Sequence, residues 1–161
     1  MEQLLKLLEQ NAKLTEDQLS ALLSVPREEV AAQIAAYEKD SVLLGYNALV
    51  NWEKADSTYC TAIIELKVQP KRDYGYEEIA EEISRFDEVE TVWLMSSSSY
   101  DLSVVVSGHN CRDISMFVAT RLATLDSVTS TATHFVLKRY KERHIHMTEP
   151  ERDERGFMYV D

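Results

Sequence analysis

The chain has 161 residues, 45% of them hydrophobic, enough for one core or two small ones closely joined, and a formal charge of -11. Lys and Arg number five against nine Asp and Glu in residues 1–55, eight against thirteen in 56–140 and four against six in 141–161. No segment therefore offers the basic surface on which strong nucleic-acid affinity usually rests. The apolar runs fall far short of the roughly 20 residues that span a bilayer, and acidic Glu2 follows Met1, so neither signal peptide nor membrane anchor is expected and the protein is read as cytoplasmic.

Leu4, Leu5, Leu7 and Leu8 predict a short amphipathic helix ending near Asn11-Ala12-Lys13. Thr15, with Gln18 three residues on, reads as an N-cap with a capping box for a second helix, whose Leu19, Leu22 and Leu23 share a face. That helix stops at Ser24-Val25, because Pro26 suits the first turn of a helix and not its interior. A third helix runs from Pro26 to Asp40 and turns Val30, Ile34 and Tyr37 toward a core. Three short helices with a tight middle turn read as a helix-turn-helix. Val42 to Trp52 alternates weakly around Gly45 and Asn47, as a short strand or wing would, and polar residues 53–58 read as a linker.

Beyond Tyr59 the pattern becomes β-α-β-β-α-β. Strands are expected over Cys60–Val68, Val89–Met95, Tyr100–Val106 and Thr129–Tyr140. Helices are expected over Tyr76–Phe86 and from about Asn110 to Leu125, the latter with Ile114, Phe117, Val118, Arg121, Leu122 and Leu125 at helical spacing. Two helices cover one face of a four-stranded antiparallel sheet and leave the other needing a partner, which predicts at least a homodimer. Residues 141–161 form a charged tail ending Phe157-Met158-Tyr159-Val160, readable as a docking segment or as a disordered terminus. Cys60 and Cys111 lack a CxxC context and are expected as buried or free thiols rather than a disulfide.

The run Glu38-Lys39-Asp40-Ser41-Val42-Leu43-Leu44-Gly45-Tyr46-Asn47-Ala48-Leu49-Val50-Asn51, followed by the β-α-β-β-α-β order, resembles the leucine-responsive regulator/AsnC (Lrp/AsnC, feast/famine) family of transcriptional regulators up to Tyr140. The resemblance implies an α+β chain: an N-terminal winged helix-turn-helix that binds duplex DNA (1–52), a linker (53–58), a ferredoxin-like ligand-sensing and oligomerisation domain (59–140), and the tail (141–161). It implies dimers assembled into larger rings, an octamer being expected, with a small-molecule effector, an amino acid, held between dimers. Two departures stand out. Gln33, Ala35 and Ala36 occupy recognition-helix positions where the family commonly carries cations, and Ser98-Ser99 precede Tyr100-Asp101 where it usually has Gly-Asp.

For DNA, the candidate contacts are Thr15 and Ser24 to phosphate, Arg27, Glu28 and Gln33 to base edges, and Lys39 or Lys54 at the flank. The plain alternative is an acidic, solvated or protein-facing surface, which would make the chain a ligand-sensing or protein-interaction assembly module with degenerate DNA binding. For the effector, Ser97, Ser98 and Ser99 offer hydroxyls and amides to a carboxylate, beside Tyr100, and Asp101 could pair an ammonium; a serine-rich hairpin turn is the plain alternative. His109 with Cys111, and His144 with His146, lack the spacing of a structural zinc site, so no metal is expected. No catalytic triad, phosphate-binding glycine loop or paired catalytic carboxylates appear, so neither enzymatic activity nor a cofactor is expected. Some relatives of this architecture are siroheme decarboxylases, but those need basic and His residues around a large anionic substrate, which this acidic chain supplies poorly.

Overall fold

A computed structural model of the chain describes residues 2–147. Two compact units result: one runs to Val50 and includes Lys141–His146, and the other begins at Asn51, continues to Tyr140 and resumes at Met147.

The first unit is built on α1 (Glu2–Gln10), α2 (Glu16–Leu23) and α3 (Arg27–Lys39). Thr15 caps α2 reciprocally, its Oγ1 accepting from Gln18 N at 3.2 Å while Gln18 Oε1 accepts from Thr15 N at 2.9 Å. Ser24 ends α2 in the left-handed region at φ 57°, and Ser20 Oγ donates to Val25 O at 2.6 Å, which tightens the turn into α3 behind Pro26. Leu4, Leu8, Leu19 and Val30 form a buried core, with Ile34 and Tyr37 packed against it.

Beyond α3 the expected wing is absent: residues 42–51 contain no strand. A strand needs a hydrogen-bonding partner, and this segment finds none within the described chain. Leu43 packs against the core of the first unit, while Val42, Leu44, Tyr46 and Val50 stay exposed, Leu44 at 87%. The expected linker is partly helical, as α4 (Trp52–Ala55), because Asn51 Oδ1 accepts from Lys54 N at 3.3 Å and caps the turn. The tail begins as a hairpin, β5 (Lys141–Glu142) against β6 (Ile145–His146), turning through Arg143 and His144 at positive φ. Residues 148–161, with the docking segment expected near Phe157, lie outside the described residues.

The second unit follows β1 (Cys60–Val68), α5 (Tyr76–Ser84), β2 (Val89–Leu94), β3 (Leu102–Gly108), α6 (Cys111–Phe117) and β4 (Val128–Phe135). The antiparallel sheet has the order β2-β3-β1-β4, which is the ferredoxin-like arrangement. Even-numbered residues of β1 and β3, from Ala62 to Leu66 and from Leu102 to Val106, are fully buried against Ile79 and Ile83 of α5 and Ile114, Phe117 and Leu122 beyond. The last helix is shorter than its apolar stripe suggests, because α6 widens into a π-helical turn over Val118–Leu122. Odd-numbered residues face the opposite side, where Ile63 and Trp93 remain 39% and 51% exposed.

The expectation of free thiols is wrong. Cys60 and Cys111 form a disulfide, with Cα atoms 5.4 Å apart. Sheet register explains it: Cys60 pairs with Gly108, and α6 starts three residues later, directly over the helical face on which Cys60 lies.

Candidate functional site

The first candidate surface is the α2-turn-α3 corner. Thr15, Ser24, Arg27 and Glu28 on these elements are exposed, as is Lys39 at the far end of α3, whereas Gln33 is half-buried. The Thr15 hydroxyl accepts the Gln18 amide hydrogen bond but can still donate its own proton outward. Arg27 is turned back on its own unit, with Nε donating to Glu16 Oε2 at 2.9 Å and Nη1 lying 3.6 Å from Asp17 Oδ1. Hydrogen bonding to Glu16, reinforced by the charge of Asp17, raises the guanidinium's affinity for its proton. A phosphate or base edge would have to compete with these carboxylates, which adjacent segments contribute and local periodicity does not reveal. Lys39, in the last turn of α3, has no carboxylate within ion-pair distance among the described residues.

The second candidate is the loop between β2 and β3. Met95 N donates to Asp101 O at 2.7 Å and closes the hairpin, and Ser97 and Ser99 hydroxyls lie 3.2 Å apart at its exposed tip. Ser96 to Ser99 are exposed and Tyr100 is half-buried. Asp101 turns inward. Its Oδ2 accepts from Val68 N at 2.9 Å, its Oδ1 accepts from Lys67 Nζ at 3.1 Å, and its own N–H donates to Leu66 O. The Val68 amide and then Lys67 hold its carboxyl below the ordinary aspartate range. The loop thus brings Ser97, Ser98, Ser99 and Tyr100 together, while Asp101 ties it to the end of β1.

The remaining titratable candidates are dispersed. His109 Nδ1 lies 4.0 Å from Asp56, His134 Nε2 lies 3.4 Å from Glu65, and His144 sits in the β5–β6 turn. Of the acidic pairs of α5, Glu78 caps the first turn by accepting from Gly75 N, and Glu82, near the helix end, accepts from the Tyr74 hydroxyl. The hydrogen bond to Glu82 pushes the Tyr74 phenol up to about 12.

Comparison with known proteins matches residues 61–145 to the Lrp/AsnC ligand binding domain. An uncharacterised HTH-type transcriptional regulator of Bacillus subtilis, YugG, is 44% identical over 140 residues, covering 86% of this chain and 84% of that protein. A second regulator so named, PF1734 of Pyrococcus furiosus, is 30% identical over 139 residues, covering 86% and 90%. Among solved structures, the Neisseria meningitidis transcriptional regulator NMB0573 in complex with L-Met superposes with a TM-score of 0.71 at 22% identity, over 86% of this chain and 88% of that one. AsnC of E. coli gives 0.68 at 18% identity, over 88% and 93%. At such identities the structural likenesses speak for the fold. The sheet unit and the named relatives agree, and the chain belongs to the Lrp/AsnC family.

Proposed function

We propose that the protein is a transcriptional regulator of the Lrp/AsnC type, acting in the cytoplasm. The α2-turn-α3 corner reads duplex DNA, and the sheet unit dimerises, assembles further into an octamer and senses a small molecule, an amino acid. The observation that carries this reading is the capped α2 followed by a short left-handed turn into α3, in a chain whose relatives are named HTH-type transcriptional regulators. The L-Met complex of NMB0573 supports an amino-acid effector. In this reading Thr15 and Ser24 contact phosphate, Arg27, Glu28 and Gln33 meet base edges, and Lys39 reaches the flank. Ser97, Ser98, Ser99 and Tyr100 receive the effector, with Asp101 holding their loop in position. Several weak half-sites in one assembly compensate for a reading helix with few cations, and the effector biases the arrangement of those half-sites by its unequal affinity for the alternatives.

The test is a salt series of mobility shifts on the gene's own promoter duplex. Wild type binds with a log-log salt slope that becomes shallower by about 1–2 in Arg27→Ala combined with Lys39→Ala. Retention unaffected by the double substitution removes these residues from the interface. A second reading has its own observation, the commitment of Arg27 to Glu16 and Asp17: the first unit binds a protein, and DNA affinity has been lost. Absence of any salt-sensitive DNA retention, with one protein partner recovered on the same unit, selects it.

A further inference from the structure

A cavity of about 240 Å³ opens within the second unit at the Cys60 end of the sheet, lined by both polar and apolar groups. Its principal cation is Arg139, half-buried, whose Nη2 donates to the buried Thr61 Oγ1 at 2.7 Å. That bond takes one of five guanidinium N–H donors. Among the described residues no carboxylate lies within ion-pair distance of this guanidinium. Across the same lining, Glu53 Oε1 accepts from the Arg139 backbone N–H at 3.1 Å, which leaves the second carboxylate oxygen open. Trp52 and Tyr59 stack at 5.0 Å with their planes 20° apart and supply an aromatic wall, and Val136 and Leu137 add apolar surface.

One unpaired cation, one half-used anion and a flat apolar wall in a single small cavity match a zwitterion with an apolar tail. We propose that this cavity binds a free α-amino acid with an aromatic or large apolar side chain, its carboxylate on Arg139, its ammonium on Glu53 and its side chain along Trp52 and Tyr59. Opposite charges on the lining favour the zwitterion over either a bare acid or a bare amine, because each half-ligand leaves one charged group without its partner. The site is separate from the Ser97–Asp101 loop. Thr61 lies at one end of β1 and Val68, which holds Asp101, at the other, about 23 Å apart at strand spacing. Asn51 and Met147, also in the lining, are where the chain enters the sheet unit, and Asn51 Nδ2 donates to Met147 O at 3.4 Å.

Trp52 makes the site self-reporting, since Trp93 is the only other tryptophan. Full-length protein carrying Trp93→Phe is titrated with L-phenylalanine, 3-phenylpropionate and phenethylamine while Trp52 emission is followed. A saturable change is expected with L-phenylalanine, weakened at least about tenfold in Arg139→Gln and in Glu53→Gln. Arg139→Lys retains part of the affinity, and Ser97→Ala with Ser99→Ala leaves it unchanged, which separates this site from the loop. Thermal unfolding verifies that each variant is folded. No saturable response below about 10 mM, equal affinity for 3-phenylpropionate or phenethylamine, or a response abolished by the loop substitutions and indifferent to Arg139 and Glu53 overturns the proposal.

Discussion

Asp101 shows how a side chain singled out for ligand chemistry can be held in place by the fold itself. Its sequence neighbours offer an acid beside serines, while the fold directs both oxygens at β1, onto Val68 N and Lys67 Nζ. Because the folded carboxyl sits below its ordinary value near 3.8, its contribution is fully present above that value and disappears as pH falls through the lower, folded one. Asp101→Asn keeps the shape but sets an amide donor against one of two donors. It is expected to lower stability at pH 7 by about 1–3 kcal/mol, and the gap to wild type is expected to shrink in acid below the aspartate range. Urea unfolding at pH 7 and at pH 3 measures both numbers, and equal stability at pH 7 refutes the anchoring role.

At the scale of elements, the disulfide clamps the start of β1 to the start of α6 across 51 residues of sequence. In the chain-entropy picture, opening a loop of that size removes about 4 kcal/mol of stability. Cytosolic thiol pools keep most such pairs reduced, so the cytoplasmic reading and this bond together predict a protein whose stability follows its redox state. Denaturant midpoints with and without dithiothreitol should differ for wild type and coincide for Cys60→Ala with Cys111→Ala; coincident wild-type midpoints mean the bond contributes nothing. The pair was hidden from sequence because it depends on the Cys60–Gly108 register, which is long-range.

The same distinction separates what was legible from what was not. Cys60–Val68 emerges as a strand from its run of apolar residues, and α2 from Thr15 and Gln18, since both signals are local. The third strand starts at Leu102 rather than Tyr100, where the β1 amide of Val68 is taken by the Asp101 carboxylate and not by a backbone carbonyl. The wing expected near Val42 fails because β propensity cannot supply a partner strand. Arg27 was legible as a cation at the reading position, whereas its pairing with Glu16, eleven residues earlier, needed the packed helices.

Within the sheet unit, α5 and α6 pack on one side of the four-stranded sheet and, among the described residues of that unit, no helix covers the other, and that asymmetry argues for assembly. Alternation places Ile63, Glu65 and Lys67 of β1 there, beside Val105 of β3, Trp93 of β2 and His134 of β4. Ile63 and Trp93 stay substantially exposed, and the face carries charges of both signs in Glu65 and Lys67. A second copy turned about a two-fold axis can set one copy's apolar residues against the other's and each lysine near the opposing glutamate, which is what an isologous interface requires. Sedimentation equilibrium is expected to find a dimer or a multiple of it for wild type. Ile63→Glu with Trp93→Glu places four added carboxylates in one dimer interface and should shift the protein to monomer at micromolar concentration, with its circular dichroism kept because neither side chain enters the helical-face core. The substitution also ranks two levels of assembly: if contacts elsewhere join dimers into an octamer, the variant loses both the dimer and the larger species, whereas substitutions in the Ser97–Ser99 loop remove the larger species alone. An octamer that survives carboxylates on this face would move the primary interface elsewhere in the chain.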